Sequence, residues 1–207
     1  MALSARQVHA LKQAPAVEGV IPAVLNRWSS RSFTEREVAQ GELAKVFEAA
    51  RWAASAYNEQ PWRFIVGSRG TETHQKLSGA LMGFNQSWAS QAPVLILGMA
   101  STKFIHNGTV NSYALYDLGA AAAALTLQAA ALGMTTHTMA GFDQAAARAA
   151  FAIPEEFALG AVIALGYQGE PGALGHEKLI ELETTPRSRK PLSEWVWTAI
   201  GESAKLG

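Results

Sequence analysis

Leu43, Val46, Phe47, Ala50 and Ala54 recur at three- and four-residue intervals, so an amphipathic helix is predicted over residues 41–54. The rhythm changes after Pro61. Trp62, Phe64 and Val66 alternate with Arg63, Ile65 and Gly67, a period of two that marks a strand. Residues 91–100, QAPVLILGMA, form a continuous apolar run and predict a strand covered on both faces. Residues 71–88 between the two strands are read as one helix. An alanine-rich helix is predicted at 115–132, ended by Gly133, with a short strand at 134–139. Asp143 caps a further helix that stops near Ile153, because Pro154 disfavours helical geometry in the residue before it. The last strand is predicted at 158–167.

Closer to the start, a short helix at 20–28 tolerates Pro22 in its first turn and sets Val24, Leu25 and Trp28 on one face. Thr34 and Glu37 match a capping box, yet the better apolar period begins later, and the box is read as a false start. Helices interposed between strands, about five of one and four of the other, indicate mixed α and β layers around one sheet. The length of 207 residues fits a single domain, with 1–19 expected as a peripheral N-terminal extension.

Charge narrows the function classes. Lys plus Arg equal Asp plus Glu at 17 each, so no bulk field attracts nucleic acid or an acidic membrane, and any anion site must be local. Cysteine is absent, which excludes disulfides, thiolate nucleophiles and iron–sulfur clusters. Among the five histidines no two stand three or four apart, and no metal site is expected. The uncharged run at 118–142 is rich in alanine and carries Thr126, Gln128 and His137, which suits a buried helix and strand better than a bilayer span. With no apolar signal block of about 7–15 residues near the start, the cytoplasm is the expected compartment. The G-x-S-x-G elbow, the phosphate-loop lysine and G-x-G-x-x-G are all missing.

Three constellations carry candidate chemistry. Arg27, Ser29 and Arg31 offer guanidinium forks and a hydroxyl suited to phosphate, though the same residues also suit a solvated helix end. In SAYNEQPWRF, Asn58 and Gln60 each carry a donor and an acceptor, enough to meet the edge of a heteroaromatic ring; the plainer reading is an Asn-capped turn. Arg187, Ser188, Arg189 and Lys190 form a late basic cluster that is either a surface tail or the far wall of a phosphate pocket. Asp117 is read as a helix-start charge and Asp143 as a cap, neither as a catalytic acid.

The ordered set R-x-S-x-R-x-F, S-x-x-N-x-Q-P-W, an alanine-rich helix ending AALG, then AGFD, ALGY and a late R-x-R-K-P-L resembles the FMN-dependent nitroreductase family, from about Pro22 to Val196. The resemblance implies an α+β fold with a mostly antiparallel central sheet flanked by helices, in an intertwined homodimer with FMN at each end of the interface. It assigns the phosphate to Arg27, Ser29, Arg31, Arg187 and Arg189, with Trp28 alongside. Ala54, Ser55, Ala56 and Asn58 would reach the flavin from the other subunit, while Asn85 and the backbone at Ala140 and Gly141 would face its ring. Phe104, His106 and Tyr113, in the variable segment before the central helix, are the nearest candidates for a substrate pocket; for His106 the plainer reading is an exposed loop histidine.

The implied function is NAD(P)H-dependent reduction of a nitroaromatic, a quinone or another small acceptor, by ping-pong hydride transfer through flavin N5, with no obligatory catalytic residue from the chain. Non-catalytic flavin storage or sensing, and a dehalogenase or dehydrogenase on the same fold, stay open as alternatives. Ala140 departs from members that carry Glu beside the flavin, and Ala54 from those with Pro. The segment 101–112 is also short relative to members with a long helical excursion there.

Overall fold

The computed structural model describes residues 2–206. Its central sheet has four strands, β1 (Trp62–Ser68), β2 (Val94–Ser101), β3 (Thr135–Met139) and β4 (Phe157–Gly166), in the order β1-β2-β4-β3. Every neighbouring pair is antiparallel. The helices are α1 (Ala5–Lys12), α2 (Pro22–Asn26), α3 (Gln40–Arg51), α4 (Glu72–Ala80), α5 (Gly83–Ala89), α6 (Ala114–Ala131), α7 (Gln144–Phe151) and α8 (Glu177–Thr184). A short hairpin of β5 (Trp197–Ala199) and β6 (Glu202–Ser203) ends the chain. The fold is α+β with a mostly antiparallel sheet, as the motif resemblance implies.

The strand period explains the layering. Val94 and Ile96 join one apolar cluster with Ile163, Leu165 and the α3 and α6 residues Val46, Ala50, Leu118 and Leu125. Their neighbours Leu95 and Leu97 point the other way, into a second cluster with Val162, Ala164, Leu77 of α4, Trp88 of α5 and Ala147 of α7. Successive side chains on a strand face opposite sides, so one apolar run supplies both layers. Helix α6 passes the length and composition test for a membrane span, yet it packs on α3 and on all four strands of the sheet.

Several expectations are corrected. The segment 71–88 is not one helix. Leu81 adopts extended geometry after α4 and bridges Phe142, and the Met82 N–H donates to the Gly141 carbonyl at 3.2 Å, so tertiary pairing breaks the helix in two. The helix expected at 41–54 stops at Arg51, which frees the next residues for a tight turn. Residues 1–19, expected as a peripheral extension, carry α1, whose Val8 is fully buried against the rest of the chain. On the face expected for 20–28, Trp28 is buried while Val24 is exposed. Helices α1 and α8 and the final hairpin have too few periodic apolar positions to have been predicted.

One close approach ties β1 to α4. A Cβ on Gly67 would lie 2.4 Å from the backbone nitrogen of His74, an atom that cannot step aside. His74 is itself fixed, its Nε2 lying 2.9 Å from the Ala92 carbonyl. Gly79, in the same helix, has nothing within 4 Å of the corresponding position. Gly67→Ala is therefore expected to destabilise by about 1–3 kcal/mol. Gly79→Ala should be neutral or stabilise by up to ~1 kcal/mol, and paired thermal melts compare the two.

Candidate functional site

Four remote parts of the chain converge beyond one edge of the sheet. Lys12 arrives on α1, Arg27, Trp28, Ser29 and Arg31 on the segment after α2, His137 on β3, and Arg187 and Arg189 after α8; together they line a pocket of about 250 Å³. Ser29 is placed by a parallel bridge to Thr136, which lays the segment beside β3. Arg187 donates to the Arg27 carbonyl at 2.7 Å and to the Leu25 carbonyl, clamping the late segment onto the end of α2. Lys12 Nζ donates to the Leu182 carbonyl at 3.1 Å and lies 5.0 Å from the centre of the buried Trp28 ring.

A single buried carboxylate organises the pocket floor. Glu183 of α8 is fully buried. It accepts from the Ser30 hydroxyl at 2.6 Å, the Arg31 N–H at 2.9 Å and the Ser32 N–H at 3.3 Å. Nothing else offsets the charge: among the described residues none of the five cations forms an ion pair. Burial holds Arg27, Arg31, Arg187 and Lys12 below their ordinary values, and Arg189 adds repulsion on Arg27 and Arg187. Arg31 Nε is buried without a hydrogen-bond partner. Desolvated cations with unspent donors favour an anion that brings several acceptor oxygens.

His137 belongs to the same floor. Its Nδ1 lies 3.1 Å from the Ser30 carbonyl and its ring 4.6 Å from that of Trp88. Burial, then the charge of Arg31, push its pKa down to about 4, so the ring is neutral near pH 7.

A second group forms where β3 ends. Asn85 of α5 donates its side-chain amide to the Gly141 carbonyl at 3.0 Å, and a Cβ on Gly141 would meet that amide nitrogen at 2.6 Å. The close approach that glycine permits is therefore to Asn85 itself. A groove of about 520 Å³ runs between α6 and the sheet. It shares Arg27 and Ser29 with the basic pocket and continues past Thr138 and Ala161 along Ala123, Ala122 and Gly119 of α6.

The turn after α3 lies in a third place. Ala54, Ser55 and Ala56 line a hollow with Tyr113, Tyr116 and Asp117, away from the basic pocket. Asp117 is no mere helix-start charge: it is buried, and its carboxylate accepts the Ala56 N–H at 3.1 Å. The Ser55 hydroxyl accepts the Gln60 N–H at 3.0 Å, closing the turn on itself. Asn58 is exposed, and Phe104 and His106 pack with Tyr57 rather than with Tyr113. One chain does not bring the turn to the arginines. Sequence reasoning also missed Lys12, Glu183 and His137, which have no local pattern; Glu183 is one of three glutamates in α8 and nothing local sets it apart from Glu177 and Glu181.

The low pKa of His137 has a stability consequence. Its folded value is depressed, so the unfolded chain takes the proton first, and stability falls as pH drops from about 6.5 to about 4. His137→Gln should flatten that part of the curve in denaturant titrations run at a series of pH values. An unchanged slope would show that the ring titrates normally.

Comparison with known proteins follows the same outline. The Nitroreductase family model matches residues 24–87 and 74–167. The chain is 30% identical over 190 residues to an NADH dehydrogenase of Thermus thermophilus, covering 77% of this chain and 91% of that one. It is 38% identical over 144 residues to an uncharacterized 15.4 kDa protein of Mycolicibacterium smegmatis, covering 66% and 95%. A crystal structure described as an oxidoreductase containing FMN superposes with a TM-score of 0.83 at 32% identity, over 90% of this chain and 94% of that one. With the family model, the relatives and the superposed fold matching over most of its length, the chain belongs to the nitroreductase family.

Proposed function

We propose that the protein is a homodimeric FMN-dependent oxidoreductase that takes reducing equivalents from NAD(P)H and passes them to a small acceptor such as a nitroaromatic or a quinone. The observation that carries the reading is the basic pocket: five cations, one buried carboxylate and an unpartnered Arg31 Nε. A phosphate monoester at neutral pH matches this donor set in charge and in acceptor number. Family membership, the FMN named for the superposed oxidoreductase and the NADH named for the Thermus relative support the rest.

In this reading Arg27, Ser29, Arg31, Arg187 and Arg189 hold the phosphate, with Lys12 as a further cation and Trp28 beside it. Asn85, Ala140 and Gly141 face the ring. Ala54, Ser55, Ala56 and Asn58 serve the site of a second copy, since one chain keeps them apart from the arginines. The bound flavin supplies the two-electron chemistry. The chain's own tasks are to bind the cofactor and to keep the basic pocket charged without a competing carboxylate; Glu183 is spent on backbone and hydroxyl donors. The kinetic pattern expected is ping-pong.

The second copy is argued from α6. Its outer face shows Leu115, Tyr116, Gly119 and Ala123 to solvent, beside the large groove. Tyr116 is 78% exposed and Ile200 of the final hairpin 92%, apolar surface that a lone chain leaves wet. Small residues along a helix let a partner backbone approach closely.

Purified protein should show a flavin spectrum that bleaches on anaerobic addition of NADH or NADPH. A colourless protein that takes up no FMN would end the reading, whereas bound flavin that stays oxidised with both donors would point to a non-catalytic role. Arg27→Ala and Arg189→Ala should each weaken FMN binding by roughly 1.5–3 kcal/mol, read by fluorescence titration. For the dimer, Ala123→Arg should halve the mass measured by light scattering and release FMN along with it; an intact dimer would place the interface elsewhere.

A further inference from the structure

A second basic cleft adjoins the phosphate pocket, and the two share one side chain. Arg31 lines both the basic pocket and a separate cavity of about 250 Å³ whose other walls include Glu35, Arg69, Ser87, Trp88 and Gln91. The chain fixes these walls before any ligand arrives. Glu183 holds the backbone N–H groups of Arg31 and Ser32. Phe33 bridges Gln168, and its ring stacks on that of Trp88 with centres 6.4 Å apart and planes at 12°. Arg69 donates its backbone N–H to the Pro93 carbonyl at 2.8 Å and Nη2 to the Thr34 carbonyl at 3.1 Å.

The donors left over mark the cleft as a binding site. Trp88 is 2% exposed, and its indole Nε1 is buried without a hydrogen-bond partner, as is Arg31 Nε. A buried indole N–H ordinarily finds an acceptor. Arg69 makes no ion pair among the described residues, and its Nε and Nη1 have no acceptor there. Ser32 and Ser87 already spend their hydroxyl protons on the Glu170 and Phe84 carbonyls, so the free donors are the guanidinium groups and the indole. A ligand that fits must therefore bring acceptor oxygens. Glu35 lines the same cleft and repels a second negative charge, which favours a monoanion over a phosphate. The volume lies below the range of about 300–1,000 Å³ usual for drug-sized ligands, and Phe33 and Leu174 add apolar wall.

We propose that this cleft binds a small monocarboxylate with an apolar body, held by Arg31 and Arg69, and that its occupation weakens phosphate binding in the adjoining pocket through the shared Arg31 guanidinium. Two anions on one guanidinium divide its charge and repel each other. The group carries five N–H donors, so both can touch it at once, and the result is a weakening rather than exclusion. Such a coupling is reciprocal. The link to the cofactor rests on the flavin reading above; the carboxylate binding does not.

The test is calorimetric titration of benzoate into the full-length protein as purified, followed by FMN titration with and without saturating benzoate. Arg69→Ala should weaken benzoate binding roughly tenfold. Gln91→Glu, which adds a negative charge at an exposed position of the cleft, should weaken it about three- to tenfold with the parent's melting temperature. In the parent, saturating benzoate should weaken FMN binding about fivefold, and the same concentration should do so less than about twofold in Gln91→Glu. Benzoate that binds the parent and both variants alike occupies another place and overturns the proposal, as does an absence of binding at millimolar concentration. FMN affinity indifferent to benzoate, or weakened equally in Gln91→Glu, overturns the link between the two sites. If Arg69→Ala lowers the melting temperature, Gln91→Glu decides: weak benzoate binding supports the cleft, and parental binding overturns it. A colourless protein that takes up no FMN yet binds benzoate through Arg69 would end the flavin reading and leave the cleft standing.

Discussion

The geometry of the basic pocket depends on one buried carboxylate. Glu183 has no water to solvate it and no arginine fork to neutralise it; it is held by a serine hydroxyl and two backbone N–H groups from residues 30–32. Hydrogen bonds to the charged form can compensate desolvation when the geometry is complete. That arrangement leaves the guanidinium of Arg31 unspent and fixes the Ser30 carbonyl, which in turn orients His137. The same negative charge faces Lys12 and Arg31 from beneath. A surface cluster of like charges would disperse its side chains into water; here a carboxylate and two carbonyl clamps at Leu25 and Arg27 keep the cations gathered.

The turn at 54–60 shows the opposite use of polar groups. Asp117, Ser55 and Glu59 each spend an oxygen on a backbone N–H, at Ala56, Gln60 and Ile105 respectively. These bonds over-determine a segment whose dihedral angles are unfavourable for its residues. The polar run in the sequence is therefore explained at two levels. Part of it builds the turn, and part of it, through Glu59, reaches another loop.

Helix α6 connects the two regions. It crosses the whole sheet, supplies Asp117 to the turn at its start, and lines the groove that opens on Arg27 and Ser29. Its alanines leave space rather than filling it. A leucine-rich helix at this position would have closed the groove, and the basic pocket would then stand apart from the sheet's open face.

The sequence by itself determined the sheet strands and the central helix, because each rests on a local period or a local stop signal, while the α+β class came with the motif resemblance. It also singled out the candidate arginines, and, through the family resemblance, Asn85 and Gly141 as separate positions; their contact is a finding of the tertiary structure. Only the tertiary structure decided that Lys12, Glu183 and His137 join those arginines, since a lone lysine, one of three acids in α8 and a lone histidine carry no periodic signal. The break between α4 and α5 was likewise decided by pairing with residues 141–142, a contact about sixty residues away that overrides helical preference. Local patterns report which faces must be buried. Which charges share a pocket depends on long-range chain crossings, and those follow from the packed sheet rather than from any one segment.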